Sequence, residues 1–99
     1  MKRFGLDEKT ILALKSVFSR YKEIDKVILY GSRAKGNYID GSDIDLTLIA
    51  LKLNLSDLLR IEGEIDDLML PYKVDLSLLH FIEGQDLLDH IQRVGVEFN

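Results

Sequence analysis

The sequence predicts an α/β fold in which helices flank a small mixed β-sheet of about three to four strands. Two observations lead to this prediction. Long segments carry apolar residues at three- and four-residue spacings, which is the pattern of one buried helix face. Short segments between them are β-branched or alternate between apolar and polar residues, as buried and half-buried strands do. Because the two kinds of segment follow one another along the chain, a sheet covered by helices is the favoured architecture.

The composition agrees with a folded domain. The chain has 99 residues, 46% of them hydrophobic, which supports a single domain over residues 1–99. No apolar run approaches the roughly 20 residues that span a bilayer, and the charged start MKRFGLDEKT is unlike a signal peptide. We therefore expect a cytoplasmic protein with no membrane partner. The absence of cysteine excludes disulfides, and a net charge of −4 argues against direct nucleic-acid binding.

The first half of the chain contains two predicted helices and two predicted strands. In chain order they are a helix from Asp7 to about Tyr21, a strand over residues 27–30, a short helix over residues 32–37, and a strand over residues 43–50. Asp7 is placed to cap the first helix. Alternation in the second strand sends Ile44, Leu46 and Leu48 to one face and Asp43, Asp45 and Thr47 to the other.

The second half adds two helices and a third strand. A helix over residues 56–69 is capped by Asn54 or Ser56, a strand covers residues 73–79, and a final helix covers residues 82–94 and stops at Gly95. The expected apolar helix positions are Leu58, Leu59, Ile61, Ile65 and Leu68, followed by Leu87, Leu88 and Ile91. Gly63 weakens its helix by about 1 kcal/mol relative to alanine.

Carboxylates form the first half of a candidate site. Asp43 and Asp45 are two residues apart on a strand, so their side chains project from the same face. Asp75 lies on another strand, and if the two strands are neighbours, the three carboxylates converge. Their repulsion is relieved by a hard divalent cation such as Mg²⁺ or Mn²⁺, which favours oxygen ligands and substrate phosphates. A phosphate ester substrate is therefore expected.

The second half of the candidate site follows the first strand. Gly31 allows a ligand to approach the backbone closely, and Ser32 adds a hydroxyl donor at a turn whose N–H groups point outward. Arg33 and Lys35 lie in the same turn, where they are expected to meet outer phosphate oxygens, although both also fit an ordinary solvated face. His80 and His90 fit surface or capping positions, and Tyr30 and Tyr72 fit packing positions.

The combination of these motifs carries more information than each motif alone. The stretch LYGSRAKG…GSDIDL, with a later VDL, resembles the minimal nucleotidyltransferase (MNT) family of the DNA polymerase β-type nucleotidyltransferase superfamily. The resemblance covers nearly the whole chain and implies a polymerase β-like fold. The positions that match are Gly31, Ser32, Gly36, Asp43, Asp45 and Asp75.

The resemblance also implies an activity. Members of the superfamily move a nucleoside monophosphate from ATP or another NTP to an acceptor, usually a hydroxyl, and release pyrophosphate. Asp43 and Asp45 would then bind two Mg²⁺ ions, with Mn²⁺ as the alternative. Asp75 would complete the metal and catalytic site near the acceptor. Gly31 and Ser32 would hold the β- and γ-phosphates.

A partner protein is implied as well. MNT proteins frequently neutralise a HEPN-domain toxin, some by adding AMP to a tyrosine of the toxin, so we expect an antitoxin that adenylylates a protein hydroxyl. Two alternatives stay open at this point: an antitoxin that acts by occlusion without catalysis, and an enzyme for a small-molecule hydroxyl. A chain this small is expected to form a homo- or hetero-oligomer to enclose both substrates.

Overall fold

The computed structural model of the chain describes residues 3–98. Four helices and four strands follow one another in an α/β order. They are α1 (Glu8–Phe18), β1 (Lys26–Tyr30), α2 (Gly31–Lys35), β2 (Ile44–Ile49), α3 (Leu55–Asp66), β3 (Val74–Leu78), α4 (Gln85–Val94) and β4 (Val96–Glu97), with a 3₁₀ turn at Leu79–Phe81. This order confirms the predicted fold class.

The four strands form one mixed sheet in the order β3-β2-β1-β4. Strand β2 pairs with β1 antiparallel and with β3 parallel, and β1 pairs with β4 antiparallel. Strand β4 was not among the predicted strands, because a pair of residues is too short to show an alternating pattern. The backbone nevertheless holds it at the sheet, since Phe98 N–H donates to Val27 O at 2.8 Å.

One face of the sheet carries the main hydrophobic core. The predicted alternation in β2 is confirmed, because Ile44, Leu46 and Leu48 are fully buried. Val27 and Leu29 lie opposite Leu48 and Leu46 in the register and share this face. Helices α1 and α3 cover it and contact each other. The core therefore separates these two helices from the polar side of the sheet.

The opposite face of the sheet is where the candidate site lies. Tyr30 and Thr47 point to this side and are also buried. Thr47 accepts a hydrogen bond from the Ser77 hydroxyl at 2.8 Å, which ties β2 to β3 on this face. Helix α4 contacts α2 and β1. At Gly95, a Cβ atom would overlap the Ile91 carbonyl and Ile28, so the chain passes closely over β1 there.

The helix caps agree with the sequence more closely than the helix ends do. Asp7 caps α1 by accepting a hydrogen bond from Thr10 N–H at 2.8 Å, as predicted, but the helix ends at Phe18. Asn54, the first of the two predicted caps for α3, forms a reciprocal capping box with Asp57. Such a box satisfies two N–H groups that the helix itself leaves unpaired.

Two leucines predicted to be buried on helices are instead exposed. Leu59 on α3 is 60% exposed and Leu87 on α4 is 38% exposed. Helix α4 begins at Gln85 rather than near Ile82, because residues 82–84 are an extended connection between the 3₁₀ turn and the helix. Among residues 3–98, no helix is both long and apolar enough to cross a membrane.

Candidate active site

Two of the three predicted carboxylates lie directly opposite each other. The parallel register of β2 and β3 pairs Asp45 with Asp75, so the strands that carry them are adjacent, as the candidate site requires. Asp43 immediately precedes β2 and is exposed, as is Asp75, whereas Asp45 is partly buried. The sheet therefore brings all three carboxylates to the same end of neighbouring strands.

The charges of Asp75 and Asp43 act electrostatically on Asp45. Burial, followed by the charges of Asp75 and Asp43, raises the pKa of Asp45 above its ordinary value. Burial, followed by the charges of Asp75 and Asp45, also raises the pKa of the Tyr30 hydroxyl beneath them. A carboxylate whose pKa is perturbed by burial and by neighbouring charges is a common feature of functional sites.

The backbone of Gly31 packs directly against this charge. Gly31 has a φ of 75°, in the left-handed region that favours glycine. A Cβ atom at this position would overlap the Asp45 carboxylate, so no other residue fits without displacing it. The next residue, Ser32, is partly buried in the first turn of α2. The predicted phosphate-binding turn thus lies directly against one of the predicted aspartates, Asp45.

His90 is a site residue that the sequence did not reveal. It is partly buried on α4, and its Nε2 atom accepts the Gly31 N–H at 3.2 Å. Its ring meets the Tyr30 ring edge-on, with 6.1 Å between the ring centres. The interpretation of His90 as a surface or capping residue was incomplete. Only the fold brings residue 90 to Gly31, so no local pattern could have revealed this contact.

Arg33 does not occupy the position predicted for a phosphate ligand. The side chain is buried, with 3% of its surface exposed. Its guanidinium donates to the carbonyl oxygens of Ser42 and Phe4, and the group lies about 5 Å from the rings of Tyr38 and Tyr72. The prediction that Arg33 meets phosphate oxygens is therefore wrong for this arrangement. Its donors are directed into the protein.

Three further residues considered in the sequence, Lys35, Tyr72 and His80, lie in ordinary surface or packing positions. Lys35 is exposed at the end of α2, free to extend toward a ligand or solvent. Tyr72 packs against the core, in agreement with its predicted packing role. His80 Nε2 lies 3.1 Å from the Leu53 carbonyl oxygen, which fits a capping contact.

The three carboxylates are suitable ligands for a hard divalent cation, but they are not spaced as a complete metal site. Carboxylate oxygens are the ligands that Mg²⁺ prefers, and a cation would offset the burial and the neighbouring charges of Asp75 and Asp43, which together raise the pKa of Asp45. Within residues 3–98, however, no three His, Asp or Glu side chains are gathered closely enough to hold a metal ion. The three carboxylates lie at the same end of β2 and β3, but they do not form a ready-made metal site.

The fold and the site together define a nucleotidyltransferase-type α/β domain, in which a glycine-serine turn faces aspartates on adjacent strands. The family model for polymerase beta nucleotidyltransferases matches residues 13–98. This chain therefore belongs to the polymerase beta nucleotidyltransferase family. The resemblance seen in the sequence motifs is confirmed at this level. No curated protein matches the chain significantly.

Several solved structures share the fold. A chain from the crystal structure of a toxin–antitoxin with AMP-PNP superposes with a TM-score of 0.71 and 21% identity, over 95% of this chain and 73% of that one. A putative nucleotidyltransferase from Sulfolobus solfataricus superposes with a TM-score of 0.58 and 23% identity, over 90% of this chain and 76% of that one. A chain from the structure of a tri-AMPylated Shewanella oneidensis HEPN toxin in complex with MNT antitoxin superposes with a TM-score of 0.63 and 16% identity, over 91% of this chain and 71% of that one. At these identities the similarity establishes the fold.

Proposed function

We propose that this protein is a Mg²⁺-dependent nucleotidyltransferase that transfers AMP from ATP to a hydroxyl of a partner protein. The observation that carries this proposal is the pairing of Asp45 with Asp75 beside the Gly31 backbone. That arrangement sets acidic groups against a turn suited to phosphate, which is what nucleotidyl transfer needs. Mn²⁺ and another NTP are the alternatives for the metal and the nucleotide.

The acceptor we propose is a tyrosine of a HEPN-type toxin, which would make the protein an antitoxin. Two of the structural neighbours support this choice: one is a toxin–antitoxin with AMP-PNP, and another contains a tri-AMPylated HEPN toxin with MNT antitoxin. The fold of the present chain is shared with both. A partner protein would also supply the surface that encloses the acceptor.

The reaction can be written for this chain's own residues. The acceptor oxygen forms a bond to the α-phosphorus of ATP, the bond from that phosphorus to the bridging oxygen breaks, and pyrophosphate leaves with the electron pair. Asp75 takes up the acceptor proton, while Gly31 and Ser32 hold the β- and γ-phosphates in place. Asp43, Asp45 and Asp75 would hold Mg²⁺ together with oxygens of the bound ATP, and the cation would supply positive charge to the phosphates.

Intact-mass measurement tests the transfer directly. The protein is incubated with Mg²⁺, ATP and a candidate HEPN-domain partner, and the mass of that partner is followed. We expect gains of whole AMP units on a tyrosine, abolished by Asp43→Asn or Asp45→Asn. Asp75→Asn should spare nucleotide binding more than turnover.

The alternative to catalysis is an antitoxin that acts by occlusion, which would need no preformed three-carboxylate site; within residues 3–98 none is found. Occlusion predicts an unchanged toxin mass and recovery of toxin activity once the toxin is separated from the antitoxin. It also predicts that neutralisation survives the double change Asp43→Asn with Asp45→Asn. An unmodified toxin that regains full activity would overturn the catalytic proposal.

A further inference from the structure

Arg33 joins three separate segments that lead into the candidate site. Its own helix, α2, begins with Gly31 and Ser32. The Nε and Nη2 atoms donate to the Ser42 carbonyl at 3.2 and 2.9 Å, one residue before Asp43. The Nη1 atom donates to the Phe4 carbonyl at 2.9 Å, which adds the N-terminal turn to the same centre.

Two aromatic rings complete the surroundings of the guanidinium. Its central carbon lies 5.2 Å from the centre of the Tyr38 ring and 5.0 Å from that of Tyr72. Tyr38 belongs to the loop before Asp43, and Tyr72 belongs to the segment before β3, which carries Asp75. Tyr38 also packs on Gly5, where a Cβ atom would overlap the ring.

Burial makes these contacts consequential. A charged group removed from water is costly unless it is fully hydrogen-bonded, so a buried arginine holds its partners in fixed positions. Arg33 is 3% exposed, and no buried side-chain nitrogen or oxygen within residues 3–98 lacks a hydrogen-bond partner. A planar guanidinium reaches two carbonyls and two ring faces at once, which the single ammonium of a lysine cannot do.

We propose that Arg33 is a positioning residue that fixes the Asp43 segment and the segment before Asp75 relative to the Gly31–Ser32 turn. It does so without touching the substrate, because its donors are directed into the protein. The inference rests on the proposed function only where nucleotide binding is used as a readout. The coupling of the segments is a property of the fold and is tested separately.

Amide hydrogen exchange tests the coupling without any ligand. The reporter amides are those of Leu6, Ser42 and Ile44, which donate to Arg3 O, Ile39 O and Lys73 O respectively. In Arg33→Lys, which keeps the charge, we expect all three to exchange at least tenfold faster while amides of α1 and α3 keep their protection. Arg60→Lys, at an exposed position on α3, is the matched control and should change none of them.

A uniform rise across the whole molecule, or no rise at the three reporters, would overturn the proposal. If Arg33→Lys does not fold, Tyr38→Ala removes one ring face instead, with Tyr38→Phe as its control. We then expect faster exchange at Ser42 and Leu6 in Tyr38→Ala and wild-type exchange in Tyr38→Phe. Equal exchange in the two Tyr38 variants would count against the proposal.

Calorimetry then connects the coupling to the site. Arg33→Lys should weaken binding of ATP with Mg²⁺ at least tenfold and change binding of ATP in EDTA by less than about twofold. Unchanged binding with Mg²⁺ would show that the site does not depend on Arg33. A wild-type protein that binds no ATP with Mg²⁺ would refute the proposed function, and the exchange data would still decide the role of Arg33.

Discussion

At the scale of single residues, Asp45 occupies an unfavourable position for a negative charge. It is partly buried, and it lies opposite Asp75 in the β2–β3 pair. The backbone of Gly31 packs so closely against the Asp45 carboxylate that a Cβ atom on Gly31 would overlap it. The pKa of Asp45 is raised, which means that the folded protein holds the proton more tightly than the unfolded chain does. Ionised Asp45 therefore destabilises the ligand-free fold.

This sign gives a pH-dependent prediction. The destabilisation is present above the raised pKa of Asp45 and disappears as the pH falls below the ordinary value of 3.8. Asp45→Asn should therefore raise Tm at pH 7, and the gain should shrink toward pH 3. A relief of about 0.5 kcal/mol corresponds to roughly 2–4 °C in a domain of this size.

Thermal denaturation followed by circular dichroism over this pH range makes the measurement. Asp43→Asn is the matched control, and because Asp43 is exposed, its gain in Tm should be smaller. A loss of several degrees in Asp45→Asn at pH 7 would indicate that the carboxylate is needed for folding. That result would favour a structural role for Asp45.

His90 supports a second prediction at this scale. Its Nε2 atom accepts the Gly31 N–H, which is one of the donors proposed for a phosphate group. A nucleotide that uses this N–H has to replace His90, so His90→Ala should strengthen ATP binding. The net value of one hydrogen bond, about 1 kcal/mol, corresponds to roughly a fivefold change in Kd.

Calorimetric titration of ATP with Mg²⁺ measures the effect. His90→Gln keeps an acceptor at a similar reach and should bind ATP like the wild type. Weaker binding in His90→Ala than in His90→Gln would instead mean that the imidazole contacts the nucleotide. That result would contradict the proposed competition between His90 and the nucleotide for the Gly31 N–H.

At the scale of elements, one glycine lies inside a helix and another follows the end of a helix, and replacing them by alanine should change the stability in opposite directions. Gly63 lies inside α3, and a Cβ atom there would meet no other atom within 4 Å. Gly95 follows α4, where a Cβ atom would overlap the Ile91 carbonyl and Ile28. The first glycine only weakens its helix, whereas the second allows the chain to pass close to β1.

We therefore expect Gly63→Ala to stabilise the protein by about 0.5–1 kcal/mol, because alanine lowers the backbone entropy of the unfolded chain. Gly95→Ala should destabilise it by about 1 kcal/mol or more through the overlap. Urea denaturation of both variants gives the two free energies of unfolding. If Gly63→Ala destabilises the protein, the space beside Gly63 on α3 is not open to a methyl group in solution, and the prediction is wrong.

How much of each element the sequence could predict depends on the range of the interactions that form it. The Asp7 cap and the alternation of β2 are local, so they were predictable. The exposure of Leu59 and the pairing of β4 depend on which distant segment packs there. Arg33 shows the same limit at the site, because arginine is usually exposed and only the fold reveals its burial.

At the scale of the whole molecule, the acidic site and its expected ligand are thermodynamically linked. A ligand that binds only the folded state stabilises it, by about 2.7 kcal/mol at a concentration 100 times its Kd. For a domain of 99 residues this corresponds to a rise in Tm of roughly 10 °C or more. The proposed site binds ATP and Mg²⁺ together, so the full rise should need both.

Thermal shifts under four conditions decide this last prediction: no ligand, Mg²⁺ alone, ATP in EDTA, and ATP with Mg²⁺. Mg²⁺ alone should raise Tm only slightly, because the carboxylates are not gathered into a ready-made group. ATP in EDTA should stabilise little, since its phosphates meet the uncompensated charge of Asp43, Asp45 and Asp75. Asp45→Asn, which starts from a higher Tm at pH 7, should lose most of the gain with ATP and Mg²⁺. Equal stabilisation by ATP with and without Mg²⁺ would rule out a metal-bridged nucleotide, because the aspartates would then contribute nothing to its binding.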